Sequence, residues 1–237
     1  MLSWNWHTKK LKMFMEKGGL NGIKLVSEFI DCRDGALAAT AENIAGKNTS
    51  LDFRGRMYTL SEKPVFIEKP ELKINYPLCS KAKRGLGFHI LSDGKPVAST
   101  YDDAMTCRKT WIFKRNVGFS VFVTETGAFA LYRVGFANEP WHYYCLLDAE
   151  GKTVGVIKRM YEAEDYRRAT LYVEEEIYLL PLLLACLDTI VDVNLVGDLE
   201  DYYDKSAGNY ISIMQEEKDI FDPAFIARVR AMDGVSD

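Results

Sequence analysis

The sequence predicts a mainly β protein of the α+β class, a closed antiparallel β-barrel around a central hydrophobic helix at about 177–194, with helical N- and C-terminal extensions. Three observations lead to this prediction. Residues 51–173 contain many short strand-like segments separated by Gly and Pro turns. The run that starts at Ile177 is apolar on nearly every side, so a helix there must be buried. Closure of a barrel around this helix leaves the sheet no free edges.

The 237-residue chain is predicted to have three parts: a helical extension over 1–50, the barrel with its helix over 51–197, and an acidic tail over 198–237 with a short docked helix. The tail contains ten acidic and four basic residues, although the net charge of the chain is only -4. This small net charge gives no reason to expect a nucleic-acid partner. The tail helix is predicted from an apolar stripe through Phe221 and Phe225 behind a possible cap at Asp222.

The N-terminal extension is predicted from a helical spacing of its residues. Residues 4–17 place Lys9 and Lys12 on one helical face, opposite an apolar face, and a Gly pair follows. Two interpretations are open: an interfacial membrane anchor, or a helix that docks on its own domain. A second short helix is predicted over 23–30, and residues 31–50 are predicted to form a loop.

Two hairpins give the clearest strand signals. The first joins strands 87–91 and 96–100 through an Asp-Gly turn, and the second joins strands 141–148 and 152–160 through residues 149–151. Other predicted strands occupy 110–115, 118–124, 128–134 and 169–173, and a further one occupies 210–214. Such regular spacing of short strands is typical of a sandwich or a barrel.

The hydrophobic run is predicted to be a core helix and not a membrane span. Its charge-free part, 177–187, is shorter than the roughly 20 apolar residues that a bilayer requires. Asp188 and Asp192 follow one helical turn apart. This carboxylate pair is either the polar exit of a buried helix or the acid–base pair of a hydrolase-type enzyme, and the sequence leaves both open.

Three segments carry a resemblance to a known family: 143–159, 165–176 and 179–192. They resemble the LURP-one-related and scramblase-like members of the tubby C-terminal-like superfamily. The matching positions are Asp148, Gly151, Gly155, Lys158, Arg159 and the run 187–190. The resemblance implies a closed antiparallel barrel threaded by the hydrophobic helix.

The same resemblance implies a membrane-related function without assigning its residues. Tubby proteins bind phosphoinositides through a basic cluster, and scramblases carry a calcium-loop-like segment before the helix. The tubby cluster aligns with no stretch here. Residues 173–176 lack the alternating acids and central Gly of a calcium loop, so calcium binding is not expected.

Catalytic, metal and cofactor sites are not predicted. The three histidines are far apart in sequence, and the five cysteines form no CxxC pair, which fits a reducing compartment. The N-terminus lacks the apolar region of a secretory signal. We therefore expect a cytoplasmic protein, peripheral at the membrane and not transmembrane, whose oligomeric state is open.

The candidate ligand residues are basic residues in three groups. If they converge on one face of the barrel, they form an anion site for lipid head groups. The alternative is that they are scattered solubilising charges. The candidates are Lys81, Lys83, Arg84, Arg108, Lys109, Lys114, Arg115, Lys158 and Arg159.

The candidate basic residues and the resemblance predict a non-enzymatic binding module for anionic lipid head groups or for a partner at the membrane surface. One alternative is a soluble protein–protein adapter or regulatory module that uses its acidic tail and terminal helix. A second alternative is the hydrolase-type enzyme that would use Asp188 and Asp192.

Overall fold

The described part of the chain is mostly antiparallel β-sheet with one long helix. The computed structural model describes residues 2–16, 19–44, 47–74, 78–109, 114–135, 141–160, 168–194 and 224–225. The strands are β1 (Leu2–Glu16), β2 (Gly19–Asp31), β3 (Leu37–Ile44), β4 (Lys47–Phe53), β5 (Arg56–Leu60), β6 (Val65–Glu68), β7 (Arg84–Ser92), β8 (Lys95–Lys109), β9 (Lys114–Thr124), β10 (Gly127–Gly135), β11 (Trp141–Leu147), β12 (Thr153–Met160) and β13 (Arg168–Val173). A 3-10 turn (Glu176–Tyr178) leads into the helix α1 (Leu179–Asn194).

The thirteen strands form one sheet in the order β5-β4-β3-β2-β1-β13-β12-β11-β10-β9-β8-β7-β6. The helix contacts β3, β4, β9, β12 and β13. Since β4 and β9 are eight places apart in this order, a flat sheet would separate them by about 38 Å. A helix is only about 10 Å across, so the sheet must curve strongly around α1.

The predicted closed barrel is wrong, because the sheet does not close. Its order ends at β5 on one side and at β6 on the other. Among the described residues, these two end strands do not pair with each other. A further pairing joins β5 to β7 over only two positions, Thr59 with Leu91 and Leu60 with Ile90. This short contact leaves β6 as an edge strand beside β7.

The apolar helix is buried against one face of the sheet. Leu179, Leu182 and Leu183 are fully buried and form a core with side chains such as Phe29 and Leu51. We call this the helix-side core. Pro181 falls in the first helical turn, where a missing N–H costs little. No helix within the described ranges is both long enough and apolar enough to cross a bilayer.

A second core lies on the opposite face of the sheet. In β10, Phe129 and Leu131 belong to the helix-side core, whereas Ala130 and Tyr132 belong to this outer core. The alternation follows from the two-residue period of a strand. Phe225, one of the two described residues of the tail, is fully buried in the outer core. The remainder of the predicted tail helix and the strand 210–214 lie outside the described residues.

The segment 69–74 covers part of the outer core and is held there by polar contacts. Lys69 Nζ lies 2.7 Å from Asp103 Oδ2, and both side chains are largely buried. The Lys73 N–H donates to the Ala149 carbonyl oxygen at 2.7 Å. Burial, together with the charge of Asp103, raises the pKa of Tyr101 far above its ordinary value.

Both predicted hairpins are confirmed. The turn between β7 and β8 has positive φ at Asp93 and Gly94, as a two-residue turn of the I′ type requires. In the turn between β11 and β12, Asp148 Oδ1 accepts hydrogen bonds from the N–H groups of Glu150 and Lys152. These side-chain hydrogen bonds hold the backbone of the turn in one conformation.

The predictions for the N-terminal 50 residues are wrong. Over their described residues, 4–16 and 23–30, both predicted helices are strands, and the predicted loop over 31–50 contains β3 and the start of β4. The pairing of β1 with β2 has bulges between Lys10 and Lys12 and between Met13 and Met15. A bulge adds a residue and reverses which face later residues occupy, so it interrupts the alternation that identifies a strand.

Gly87 in β7 gives a direct test of this packing. A Cβ at Gly87 would collide with the Thr100 carbonyl oxygen of the neighbouring strand and with the Tyr101 side chain. The Thr100 carbonyl oxygen belongs to a paired strand and cannot move aside as a flexible side chain can. We therefore expect Gly87→Ala to lower the free energy of unfolding by about 2 kcal/mol or more. Urea denaturation followed by circular dichroism measures this difference.

Gly118→Ala is the matched control. A Cβ at Gly118 would meet only the Asp103 carbonyl oxygen, at 3.9 Å, which is an ordinary contact. Replacing glycine inside a strand reduces the entropy lost on folding, so we expect no loss of stability. Equal destabilisation by the two variants would contradict the described register of β7, β8 and β9.

Candidate anion-binding site

Antiparallel pairing brings many strand termini to the same end of the sheet. One end contains the termini that flank residues 17–18, 45–46, 110–113, 136–140 and 161–167, and we call it the long-hairpin end. The opposite end contains the short turns at 32–36, 54–55, 93–94, 125–126 and 148–152, and the start of α1. We call it the short-turn end.

The long-hairpin end is rich in basic residues. Each of the five connecting segments at this end is flanked by two strands. Among the five strand residues nearest to each connecting segment on either side, ten are basic and two are acidic. The basic ones are Lys12, Lys47, Arg108, Lys109, Lys114, Arg115, Arg133, Lys158, Arg159 and Arg168, and the acidic ones are Glu16 and Glu42. In sequence, the connecting segments add Lys17 and Arg167, with Glu139, Glu162, Glu164 and Asp165. The basic excess therefore remains when the connections are included.

The strongest concentration of positive charge lies where β8 meets β9. The register sets Arg108 opposite Arg115 and Lys109 opposite Lys114. Directly opposite residues of an antiparallel pair have Cα atoms about 5 Å apart, and like charges at such positions destabilise the pair. Two successive positions of this pairing thus combine like-charged residues.

The third candidate group lies partly at the same end. Arg159 is paired with His142 and Ala169, close to the ends of β11 and β13. Since β12 is three strands away from β9, Arg159 lies about 14 Å from the β8–β9 pairs. Lys158 has a half-buried side chain on the outer face, beside Tyr143, so it is less accessible to a large ligand.

The first candidate group stands at the sheet edge. Lys81 and Lys83 are exposed in the segment before β7, and Arg84 Nη2 forms an ion pair with Glu68 Oε1 at 3.1 Å. Leu78, just before this segment, bridges to Met105 in β8. Lys109 is four positions after Met105, so the contact of Leu78 with β8 lies about 13 Å along the strand from the β8–β9 pairs. The first group therefore lies toward the same end of the sheet but apart from these pairs.

Three basic residues of the short-turn end form ion pairs with neighbouring acids. Lys152 Nζ lies 2.8 Å from Glu174 Oε2, and this hydrogen bond raises the pKa of Lys152. Lys73 Nζ lies 2.6 Å from Glu150 Oε2, which raises the pKa of Lys73 in the same way. The ion pair with Arg54 lowers the pKa of Glu176. These ion pairs thus offset part of the positive charge at the short-turn end.

Sequence reasoning missed several basic residues of this end. The sequence places Lys12 on a predicted amphipathic helix and Arg168 beside a charged loop, and it gives no reason to choose Lys47. Their common location follows only from the strand register, which pairs Lys47 with Ile44 and Arg168 with His7. The alternation in residues 2–6 was the available signal for a strand, but the bulge after Lys10 interrupts it.

The alternative functional sites are not resolved by the fold. Asp188 and Asp192 occupy positions in the second half of α1, but their side chains lie outside the described residues. The hydrolase-type alternative therefore stays a prediction. Except for residues 224–225, the acidic tail also lies outside the described residues, so the adapter alternative stays a prediction as well.

Removal of one member of the like-charged pairs should stabilise the fold. We expect Arg115→Gln to raise the free energy of unfolding by about 0.5 kcal/mol at low salt, because it relieves the repulsion from Arg108. The gain should vanish in high salt, where the repulsion is screened. Thermal denaturation of both proteins across a salt series measures the effect.

Arg84→Gln provides the control, since it removes the same charge from an ion-paired position. Its ion pair is exposed and worth little, so we expect no gain in stability. A gain for Arg84→Gln as large as that for Arg115→Gln would show that net charge alone, and not the opposite pairing, is responsible.

Comparison with known proteins adds no family to these observations. No family model, no curated protein and no solved structure matches the chain. The resemblance to the tubby C-terminal-like superfamily thus stays a prediction, and its closed barrel is not the fold observed. The arrangement of charges on the sheet is what remains as a guide to function.

Proposed function

We propose that the chain is a non-enzymatic binding module that attaches to anionic phospholipid surfaces through its long-hairpin end. The observation that carries this proposal is the pair of like-charged positions, Arg108 with Arg115 and Lys109 with Lys114, in an end with ten basic and two acidic strand residues. A surface of phosphate groups relieves that repulsion. Its negative potential also attracts the excess charge as a whole.

Apolar residues at the same strand ends favour a lipid surface over a dissolved anion. Met13, Phe14 and Met15 are among the last residues of β1, and Trp141 is the first residue of β11. Aromatic and aliphatic residues interleaved with Lys and Arg are typical of segments that lie in the bilayer interface. A nucleic-acid partner would not require the aliphatic members of this set.

The distribution of charge also orients the molecule. The overall net charge is -4, so the chain as a whole would be repelled weakly by an anionic surface. Acids at the short-turn end, such as Asp93, Glu125 and Asp148, strengthen that repulsion locally. With basic residues at one end and acids at the other, only approach by the long-hairpin end is favourable.

We expect the protein to co-sediment with vesicles that contain phosphatidylserine, and not with neutral phosphatidylcholine vesicles, at low ionic strength. Each basic residue near such a surface contributes about 1 kcal/mol. The variant Lys109→Glu with Lys114→Glu should therefore reduce the partition coefficient by at least about 30-fold, since removal of two charges costs about 2 kcal/mol. Quantifying pelleted protein across a salt series measures this change.

The control is Lys63→Glu with Lys95→Glu, which changes the net charge equally at exposed positions away from the cluster. Binding by this control should stay close to that of the unmodified protein. Failure to bind anionic vesicles at low salt, or equal loss of binding in both double variants, would contradict the proposal. So would salt-sensitive binding to duplex RNA without binding to vesicles.

A further inference from the structure

A small cavity opens at the short-turn end, away from the basic cluster. It has a volume of about 110 Å³ and lies between the first turns of α1 and the strands β5 and β8, beside the turn from β9 to β10. Its walls are mainly apolar and include Tyr58, Val97, Leu180 and Leu184. Ile177 also lines it and is 56% exposed, so an apolar side chain stands at the opening.

One cationic group, Arg56, lines this mainly apolar cavity. The Arg56 Nε donates a hydrogen bond to Ser92 Oγ at 2.9 Å, and its guanidinium carbon lies 5.5 Å from the centre of the Tyr58 ring. These contacts fix the orientation of the side chain. Within the part of the chain that the structure describes, no hydrogen bond or ion pair engages its two Nη groups.

A guanidinium with both Nη groups available suits a carboxylate, which accepts two parallel hydrogen bonds. The neighbouring Arg54 is different, because its guanidinium already forms an ion pair with Glu176. Glu125 also lines the cavity and carries a negative charge at its edge. This charge disfavours a second anionic group on the ligand, so the site is suited to a monocarboxylate.

The volume of the cavity limits the apolar part of the ligand. An engineered apolar cavity of about 150 Å³ holds benzene, which has six carbon atoms. A cavity of about 110 Å³ therefore accommodates an alkyl group of about four or five carbons. A mainly apolar pocket with one oriented polar group is the usual form of a small-molecule site.

We propose that this cavity binds a small amphipathic monocarboxylate, with its alkyl group between α1 and the strands and its carboxylate on Arg56. The site does not depend on membrane attachment, because it lies at the opposite end of the sheet. A leucine-like carboxyl terminus of a peptide offers the same chemistry as a free short-chain acid. The experiment must therefore test both sources.

We expect isocaproate, a branched short-chain acid, to cause saturable shifts in the amide NMR spectrum at residues that line the cavity. Its alcohol, isohexanol, should bind at least about 10-fold more weakly, because it cannot form the two charge-assisted hydrogen bonds. Arg56→Gln should weaken binding of isocaproate by about 10-fold and leave binding of isohexanol unchanged. Arg54→Gln, a matched variant outside the cavity, should bind both as before.

A second variant tests the location of the alkyl group. Val97→Phe should fill the cavity and abolish binding of both compounds while the spectrum remains that of a folded protein. N-acetyl-leucine in place of isocaproate reports whether a peptide terminus also fits. Absence of saturable shifts at millimolar isocaproate would overturn the proposal, as would equal affinity for acid and alcohol.

Discussion

Burial of α1 is the constraint on which the rest of the structure depends. Leu179, Leu182 and Leu183 are fully buried, and each contributes about 2 kcal/mol when removed from water. No single strand can cover a helix that is apolar on all sides. Strands from distant places in the sheet order, such as β4 and β9, must therefore reach the same helix, and this requirement bends the sheet.

The close approach of helix and sheet also explains residues that are poor strand formers. Ala39 and Ala41 of β3 are buried in the helix-side core, where larger side chains would hold α1 away. Gly155 has the same role, since a Cβ there would lie 3.2 Å from a methyl carbon of Leu182. At these positions, close packing against the helix determines the residue type more than intrinsic strand propensity does.

These packing demands set the limit of what could be predicted from the sequence. The Asp93-Gly94 turn, the Asp148 turn and the apolar helix follow from local chemistry, and all three are present. The strands β1 to β3 were missed because bulges and alanines hide their alternation. An open sheet edge at β6 could not be distinguished from closure, since both satisfy the same local pattern. The charged residues were visible, but their shared location depends on a register that sequence spacing does not provide.

The two ends of the sheet differ for a physical reason. At the short-turn end, Asp148 accepts hydrogen bonds from turn amides and Glu174 forms an ion pair with Lys152, so both acids interact within the fold. At the long-hairpin end, the opposed pairs of β8 and β9 work against strand pairing. A fold tolerates such repulsion only when other interactions are sufficient, and here the helix-side core provides them. The antiparallel sheet thus separates the part of the chain that secures stability from the basic end, for which we propose an anionic surface as the ligand.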